Sequence, residues 1–331
     1  MPSKSFNTVH VFIALAIVLA IVAGMVVFLR MDPLGGQWID QPGEKIDPAL
    51  IHYRQTAEIS VDLKQPHALA VGPDGKIFVG GDKAIQVLDS KGVKAAEIKL
   101  EYEPRCLAVG GAEHKYPGRI YVGTDDRVEV LDADGKTVGN WDKINEKALL
   151  TSIAIAENDV FLADAGNRIV WHYDTDGKLI NRIGAPDRAR KIPGLFITSP
   201  YFDLAVGRDG LLYVVNPCAL RLEAYTFQGD LEFSWGKGSP TIDGFFGCCN
   251  PVHFAVLSDG RFVTAEKGLP RIKIYSPQGK FECVVAGQEQ FPSVAADLAV
   301  DSHDRILVLD SNKNRVLVFE PKTAAAEVNH E

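Results

Sequence analysis

A short apolar phrase recurs along this chain, and its recurrence constrains the fold more than any other feature. The phrase is an apolar residue, then Ala, then Val or Ile. It occurs as Leu69-Ala70-Val71, Leu107-Ala108-Val109, Ile153-Ala154-Ile155, Leu204-Ala205-Val206, Phe254-Ala255-Val256 and Leu298-Ala299-Val300. The six alanines lie 38, 46, 51, 50 and 44 residues apart. A turn follows, often Asp-Gly, as in Pro73-Asp74-Gly75, Arg208-Asp209-Gly210 and Ser258-Asp259-Gly260. Then comes a β-branched or aromatic run such as Leu211-Leu212-Tyr213-Val214-Val215, and a third run such as Val128-Glu129-Val130-Leu131 or Ile272-Lys273-Ile274-Tyr275. Short β-rich runs bounded by Gly, Asp and Asn are strand–turn–strand signals. One such unit cannot bury its own apolar faces, so neighbouring copies must stack.

The spacing suits four-stranded propeller blades, and six copies take up nearly all of the 331 residues. One all-β domain is therefore expected. Residues 56–63 form a strand-like run ahead of the first copy and read like the fourth strands of later copies, such as Ala96-Glu97-Ile98-Lys99-Leu100. The last copy has no fourth run: after Phe319 the chain meets Pro321 and a polar tail. The N-terminal strand is thus expected to complete blade six and leave no sheet edge open. These residues resemble the NHL-repeat family of six-bladed β-propellers over about residues 56–322, most legibly in residues 159–177 and 297–319. The resemblance implies a fold and no single function, because propellers host enzymes, binding modules and scaffolds alike.

Residues 9–29 are apolar throughout except for His10. As a helix they would extend roughly 31 Å at about 1.5 Å per residue, enough to cross a bilayer core. A cleavable signal peptide would have a shorter apolar run with small residues beyond it. Here Met25-Val26-Val27-Phe28-Leu29 carries the run past Ala23-Gly24, which favours a retained N-terminal transmembrane helix. The expected organisation is a cytoplasmic tail at 1–8, an anchor at 9–29, and a Pro- and Gly-bearing linker at 30–50. The propeller follows at 51–322, and a polar tail at 323–331. An early single anchor with a short tail places the propeller on the extracytoplasmic, periplasmic side of the cell membrane. A net charge of −8 argues against a nucleic-acid partner, which would call for a basic footprint.

In a propeller, the loops entering the inner strands and the turns between second and third strands share one end of the ring. His67, Arg105, Asp203, His253 and Asp297 stand just before or at the repeated phrase, so they are expected near the channel mouth. There they either pair with one another or serve a ligand, a divalent metal included. An acid or amide also ends several second strands, with Arg opening the next: Asp164 and Arg168, Asn216 and Arg221, Glu266 and Arg271, Asp310 and Arg315. Recurrence in four blades favours an intrablade pairing over a ligand site. Glu266 also lies near the one clearly asymmetric feature, Phe245-Phe246-Gly247-Cys248-Cys249-Asn250-Pro251, with Cys218 in the matching turn of blade four. A disulfide from Cys218 to one of the pair, a thiolate–imidazole metal site, or free thiols are the alternatives. Cys106 and Cys283 fall within strands as apolar fillers, and Arg188-Ala189-Arg190-Lys191 forms a basic run in a long crossing.

Two function classes remain. One is a membrane-anchored module that binds a protein or small ligand on its loop-rich face. The other is a metal-dependent lyase or hydrolase using His67, Asp203, His253 and Asp297 at the channel mouth. Peptide-amidating lyase domains resemble NHL propellers and bind zinc through histidines opening inner strands. Pro66-His67-Ala68-Leu69 matches that setting, Arg105, Thr151, Phe202, Val252 and Ala296 do not, and His253 is displaced by one residue. The calcium set of sugar-lactone hydrolases cannot be assembled here.

Overall fold

The computed structural model describes residues 45–322. Within them, six four-stranded antiparallel sheets are arranged as a ring. Blade one runs Pro66–Val71, Ile77–Gly81, Ala84–Leu88 and Lys94–Lys99, and blade two Cys106–Val109, Ile120–Gly123, Val128–Leu131 and Thr137–Asn140. Blade three runs Leu150–Ile155, Asp159–Asp164, Ile169–Asp174 and Leu179–Ile183; blade four Leu204–Val206, Leu212–Asn216, Arg221–Tyr225 and Leu231–Trp235. Blade five runs His253–Val256, Phe262–Ala265, Ile272–Tyr275 and Phe281–Ala286. Blade six supplies Asp297–Val300, Ile306–Asp310 and Arg315–Pro321, and Tyr53–Ser60 is its fourth strand. That strand pairs antiparallel with Arg315–Pro321 from Tyr53↔Pro321 to Ser60↔Arg315, so the ring closes between the two ends of the domain as the sequence predicts. It begins three residues earlier than expected from the run at 56–63.

Local chemistry sets the turns. Between third and fourth strands the same turn recurs: Asp89 Oδ1 accepts from the N–H groups of Lys91 and Val93, Asp132 from Asp134 and Lys136, Asp174 from Asp176 and Lys178. Each ends on a glycine at positive φ (Gly92, Gly135 and Gly177, at 86°, 82° and 89°), where a side chain would be strained. Ser276 Oγ does the same work in blade five.

The core is not a single mass. Six apolar layers lie between consecutive blades, one at each junction. Second and third strands are buried on both faces, which is why they read as continuous apolar runs, whereas the fourth strands of blades one to four are largely exposed. Blade five is different: Cys283, Val284, Val285 and Ala286 of its fourth strand are buried. The chain just before the closing strand covers it, with Ile51 bridged to Val284 and the His52 N–H donating to the Val284 carbonyl. The segment expected as a linker to residue 50 is thus laid against the propeller from about Ile46, whose side chain sits over Gly287.

Among the described residues no helix is long and apolar enough to cross a membrane. The expected tail, anchor and most of the linker (residues 1–44) and the tail at 323–331 lie outside the described residues.

Candidate functional site

Every inner strand runs in the same direction. The starts of the inner strands, the crossings that lead into them and the hairpins joining second to third strands therefore share one end of the ring, called here the upper end. All the candidate residues read from the sequence lie at that end, but they divide into four separate environments.

The first is the mouth of the central channel, a cavity of about 280 Å³ lined by all six inner strands. Asp203, His253 and Asp297, from blades four, five and six, meet there. His253 Nδ1 stands 3.5 Å from Asp203 Oδ2 and 3.7 Å from Asp297 Oδ1. Both carboxylates are also tied to backbone. Asp203 accepts from the Leu204 N–H at 2.8 Å and from Phe254 N–H of the next blade at 2.9 Å. Asp297 accepts from the Leu298 N–H at 2.8 Å and from Leu69 N–H of blade one at 2.7 Å. The Thr151 hydroxyl makes a third such link by donating to the Phe202 carbonyl at 2.6 Å. These side chains clasp neighbouring inner strands, which carry few hydrogen bonds across the blade boundary on their own.

Burial pushes the Asp297 carboxyl up to about 7, with His253 opposing and the Asp203 charge adding to the rise. Burial alone would lower His253, but the Asp203 hydrogen bond and the charges of Asp203 and Asp297 raise it above its ordinary value. Asp297 and His253 therefore both hold their protons to higher pH than the free side chains would. Cys106, expected as a filler within its strand, is buried and lines this channel, where burial and the two carboxylates push its thiol far up.

The second environment is peripheral. His67 Nε2 lies 4.0 Å from Glu103 Oε1, and Arg105 Nε donates to Asp125 Oδ1 at 2.8 Å. Both pairs are partly exposed, and neither residue joins the channel trio. Screened pairs of this kind contribute little to stability.

The third is the set of acids and amides ending second strands, and it is buried. Asp164 Oδ1 accepts from the Leu149 N–H, Asn216 Oδ1 from Phe196 and Glu266 Oε2 from Phe246. Each thus holds the crossing that leads into its own blade. Pairing with the following Arg is made by Asp310 with Arg315 at 3.0 Å and Glu266 with Arg271 at 2.7 Å. In blade four Arg221 turns instead to Glu223, and in blade three Arg168 meets Asp164 only through its backbone N–H, which donates to the Asp164 main-chain carbonyl. Glu266 is accordingly not available on a ligand face: it is fully buried between Arg271 and Lys273, whose Nζ lies 2.6 Å from Glu266 Oε1. Lys273 was missed in the sequence. Its position two residues after Arg271 places both cations on one side of extended chain, where side chains alternate. Desolvation lowers Lys273 to about 8 against the pull of Glu266.

The fourth environment is the junction of blades four and five. Cys218 lies in the single helical turn Pro217–Ala219, and Cys248 and Cys249 in the crossing to blade five. Cys249 Sγ is 3.2 Å from Cys218 Sγ and 3.2 Å from Cys248 Sγ; Thr198 Oγ1 is 3.1 Å from Cys218 Sγ and 3.4 Å from Cys249 Sγ. All five cysteines are free thiols. Burial opposes ionisation of Cys249, but hydrogen bonds from Thr198 and the two flanking thiols bring it down to about 7, while Cys218 and Cys248 are raised. Among the described residues no group of three or more His, Cys, Asp or Glu side chains is arranged to hold a metal ion. His253 belongs to the channel trio and not to the thiols. The basic run at 188–191 is partly consumed, since Arg190 pairs with Asp230 at 2.6 Å.

The NHL repeat family matches residues 293–319, the copy that forms blade six. No curated protein matches the chain in sequence. Solved structures of similar shape include streptogramin B lyase, at 15% identity over 83% of this chain and 100% of that one, with a TM-score of 0.56. They also include virginiamycin B lyase from Staphylococcus aureus, at 15% identity over 82% and 89%, TM-score 0.55. The WD40 β-propeller domain of Doa1 is similar at 14% identity over 82% and 98%, TM-score 0.56. At such identities the likeness extends to the fold alone. The chain is a six-bladed β-propeller whose sixth blade carries an NHL repeat.

Proposed function

We propose that this propeller is a non-catalytic binding module, tethered to the cell membrane through residues 9–29 and standing on the extracytoplasmic side, which takes a protein or small ligand on its upper end. The observation that carries the reading is the use of the polar groups at the channel mouth. Asp203 and Asp297 each spend one oxygen on the N–H of the following residue and the other on an N–H of the adjoining blade, and His67 stands apart from them. A metal-dependent lyase or hydrolase would need a set of donors free to face a metal and substrate. What the upper end does present is two long crossings, 184–203 and 236–252, that meet beside one another. Phe196 in the first of these is 54% exposed and has its carbonyl bonded to the Cys218 N–H. An exposed aromatic on a braced loop is the kind of anchor that binding surfaces use.

The test is a photo-crosslinking residue placed at 196 or, as control, at 93 in the full-length protein in its own cells. Val93 is exposed in a turn at the opposite end of the ring. A discrete crosslinked product from position 196 and none from 93 is expected; equal products from both, or none, would overturn the assignment of the upper end. Protease added to intact spheroplasts checks the topology separately, because it should digest the propeller. Survival of the domain under those conditions would reverse the orientation.

A further inference from the structure

The three thiols at the blade four–five junction form a graded path from surface to interior. Cys248 is exposed, Cys218 is half-buried and Cys249 is buried. Cys249 lies between the other two, at 3.2 Å from each sulfur. Their backbone is held from several directions. Asn250, next in sequence, donates to the Phe246 and Lys267 carbonyls and accepts from the Lys267 N–H. Glu266 fixes Phe246, and the Phe196 carbonyl holds the Cys218 N–H. A sulfur can therefore change partner by side-chain rotation alone, with the loop in place. The other two cysteines of the chain, Cys106 and Cys283, are buried elsewhere.

We propose that Cys218, Cys248 and Cys249 constitute a thiol–disulfide exchange centre, in which exposed Cys248 meets an external disulfide and the oxidation is passed inward to a Cys218–Cys249 bond. In the first step Cys248 attacks one sulfur of an external disulfide RSSR. A Cys248–SR bond forms, the RS–SR bond breaks, and the departing RS⁻ takes up the proton that Cys248 gave off. In the second step the Cys249 thiolate attacks the outer sulfur of Cys248–SR: a Cys249–SR bond forms, the Cys248–SR bond breaks, and Cys248 regains a proton as Cys249 gives one up. In the third, Cys218 attacks Cys249 Sγ, the Cys218–Cys249 bond forms, and the second RS⁻ departs as RSH with the proton of Cys218. Two protein thiols are oxidised and one RSSR is reduced to two RSH. The hydrogen bonds that favour the Cys249 thiolate near neutral pH aid the second step, since the thiolate is the attacking species.

The full-length protein, reduced and then exposed to oxidised glutathione under native conditions at pH 7, provides the test. Acid quenching, alkylation and peptide mapping by mass spectrometry report each thiol. Cys218 and Cys249 are expected to be lost together as one linked pair of peptides, with Cys248 alkylated and with Cys106 and Cys283 reduced throughout. Cys249→Ser should stop the sequence at a Cys248–glutathione mixed disulfide that accumulates. Cys248→Ser, at an exposed position that cannot disturb packing, should slow formation of the Cys218–Cys249 bond by roughly tenfold or more, and it decides the matter if Cys249→Ser fails to fold. The proposal fails if all three thiols remain alkylatable, if the Cys248→Ser protein closes at the wild-type rate, or if the purified protein carries stoichiometric metal that protects all three.

Discussion

Blade six and the junction of blades four and five solve the same packing problem by different means. Blade six is built from the repeat with little added: its layer against blade one is aliphatic, made of residues such as Leu69, Ile77, Val79, Leu307, Leu309 and Val318. Its acid, Asp310, is buried, but the partner Arg315 is partly exposed and reaches out to Glu58 on the closing strand at 2.7 Å. The four–five junction is aromatic, with Tyr213, Trp235, Phe245, Phe254, Phe262 and Tyr275 in one layer. Its acid, Glu266, is buried with two cations, and its crossing is long enough to carry the paired cysteines. The regular blade closes the ring. The irregular junction departs from the repeat wherever it holds chemistry.

Removing residues 53–60 tests the regular half of this contrast and should give the largest effect. Blade six would lose its fourth strand, and Val316, Leu317 and Val318 would face an open edge. A loss on the order of 5 kcal/mol or more is expected, seen by calorimetry as a melting transition that falls steeply or splits. A truncated protein with the full wild-type midpoint would show that closure by this strand is dispensable.

The next effect belongs to the junction. Glu266→Ala leaves Arg271 and Lys273, both essentially without solvent access, as uncompensated buried cations. Breaking a buried pair from one side typically costs about 3–5 kcal/mol, and the Phe246 N–H loses its acceptor as well. Arg315→Ala in blade six removes a partly exposed cation and leaves one buried carboxylate, Asp310, where the other variant leaves two buried cations, so its cost should fall at the low end, about 3 kcal/mol. Urea unfolding of the two variants compares the blades directly. Equal losses would mean that the two pairs do the same job despite their different burial.

Most of the architecture was legible in the sequence because it is carried by local periodicity. The apolar–Ala–Val phrase marks all six inner strands, and the missing fourth strand after Phe319 pointed to closure by the N-terminal strand. The candidate residues were legible as positions in the fold, all at the upper end, but not as partners. Asp203 and Asp297 bind backbone N–H groups of the next blade, and Asp164, Asn216 and Glu266 bind N–H groups 15 to 20 residues earlier in the chain. A backbone N–H has no signature in sequence, so these clasps could not be read from residue types. The same holds for the covering of blade five by residues 46–52, which have the Pro-bearing composition of a linker yet lie on a strand edge.

The smallest expected effect is a dependence on pH, and it distinguishes the channel mouth from both regions above. The Asp297 carboxyl is raised from 3.8 to about 7 in the folded protein. Between those values the folded state holds a proton that the unfolded state has released, so stability falls as pH rises through the window. His253, also raised, holds its proton longer in the folded state and pushes in the same direction from about pH 6.5 upward. Cys249 and Lys273 have the opposite sign, being lowered to about 7 and about 8, but both remain protonated in either state well below pH 7. His114, lowered by burial, and Glu97, held low by its hydrogen bond to Lys94, add stability with rising pH inside the window. Urea midpoints at pH 4.5, 5.5 and 6.5 are therefore compared between wild type and Asp297→Asn, and the wild-type protein should lose on the order of 1–2 kcal/mol relative to the variant across that range. Asp297→Asn cannot titrate and should flatten the slope, while losing some stability at every pH because one of its two backbone N–H partners would face an amide N–H. If both proteins show the same slope, or if the wild type gains on the variant as pH rises, the proton does not reside on Asp297. The Asp203–His253–Asp297 cluster would then be a set of fixed ion pairs and not a proton-holding clasp between the blades.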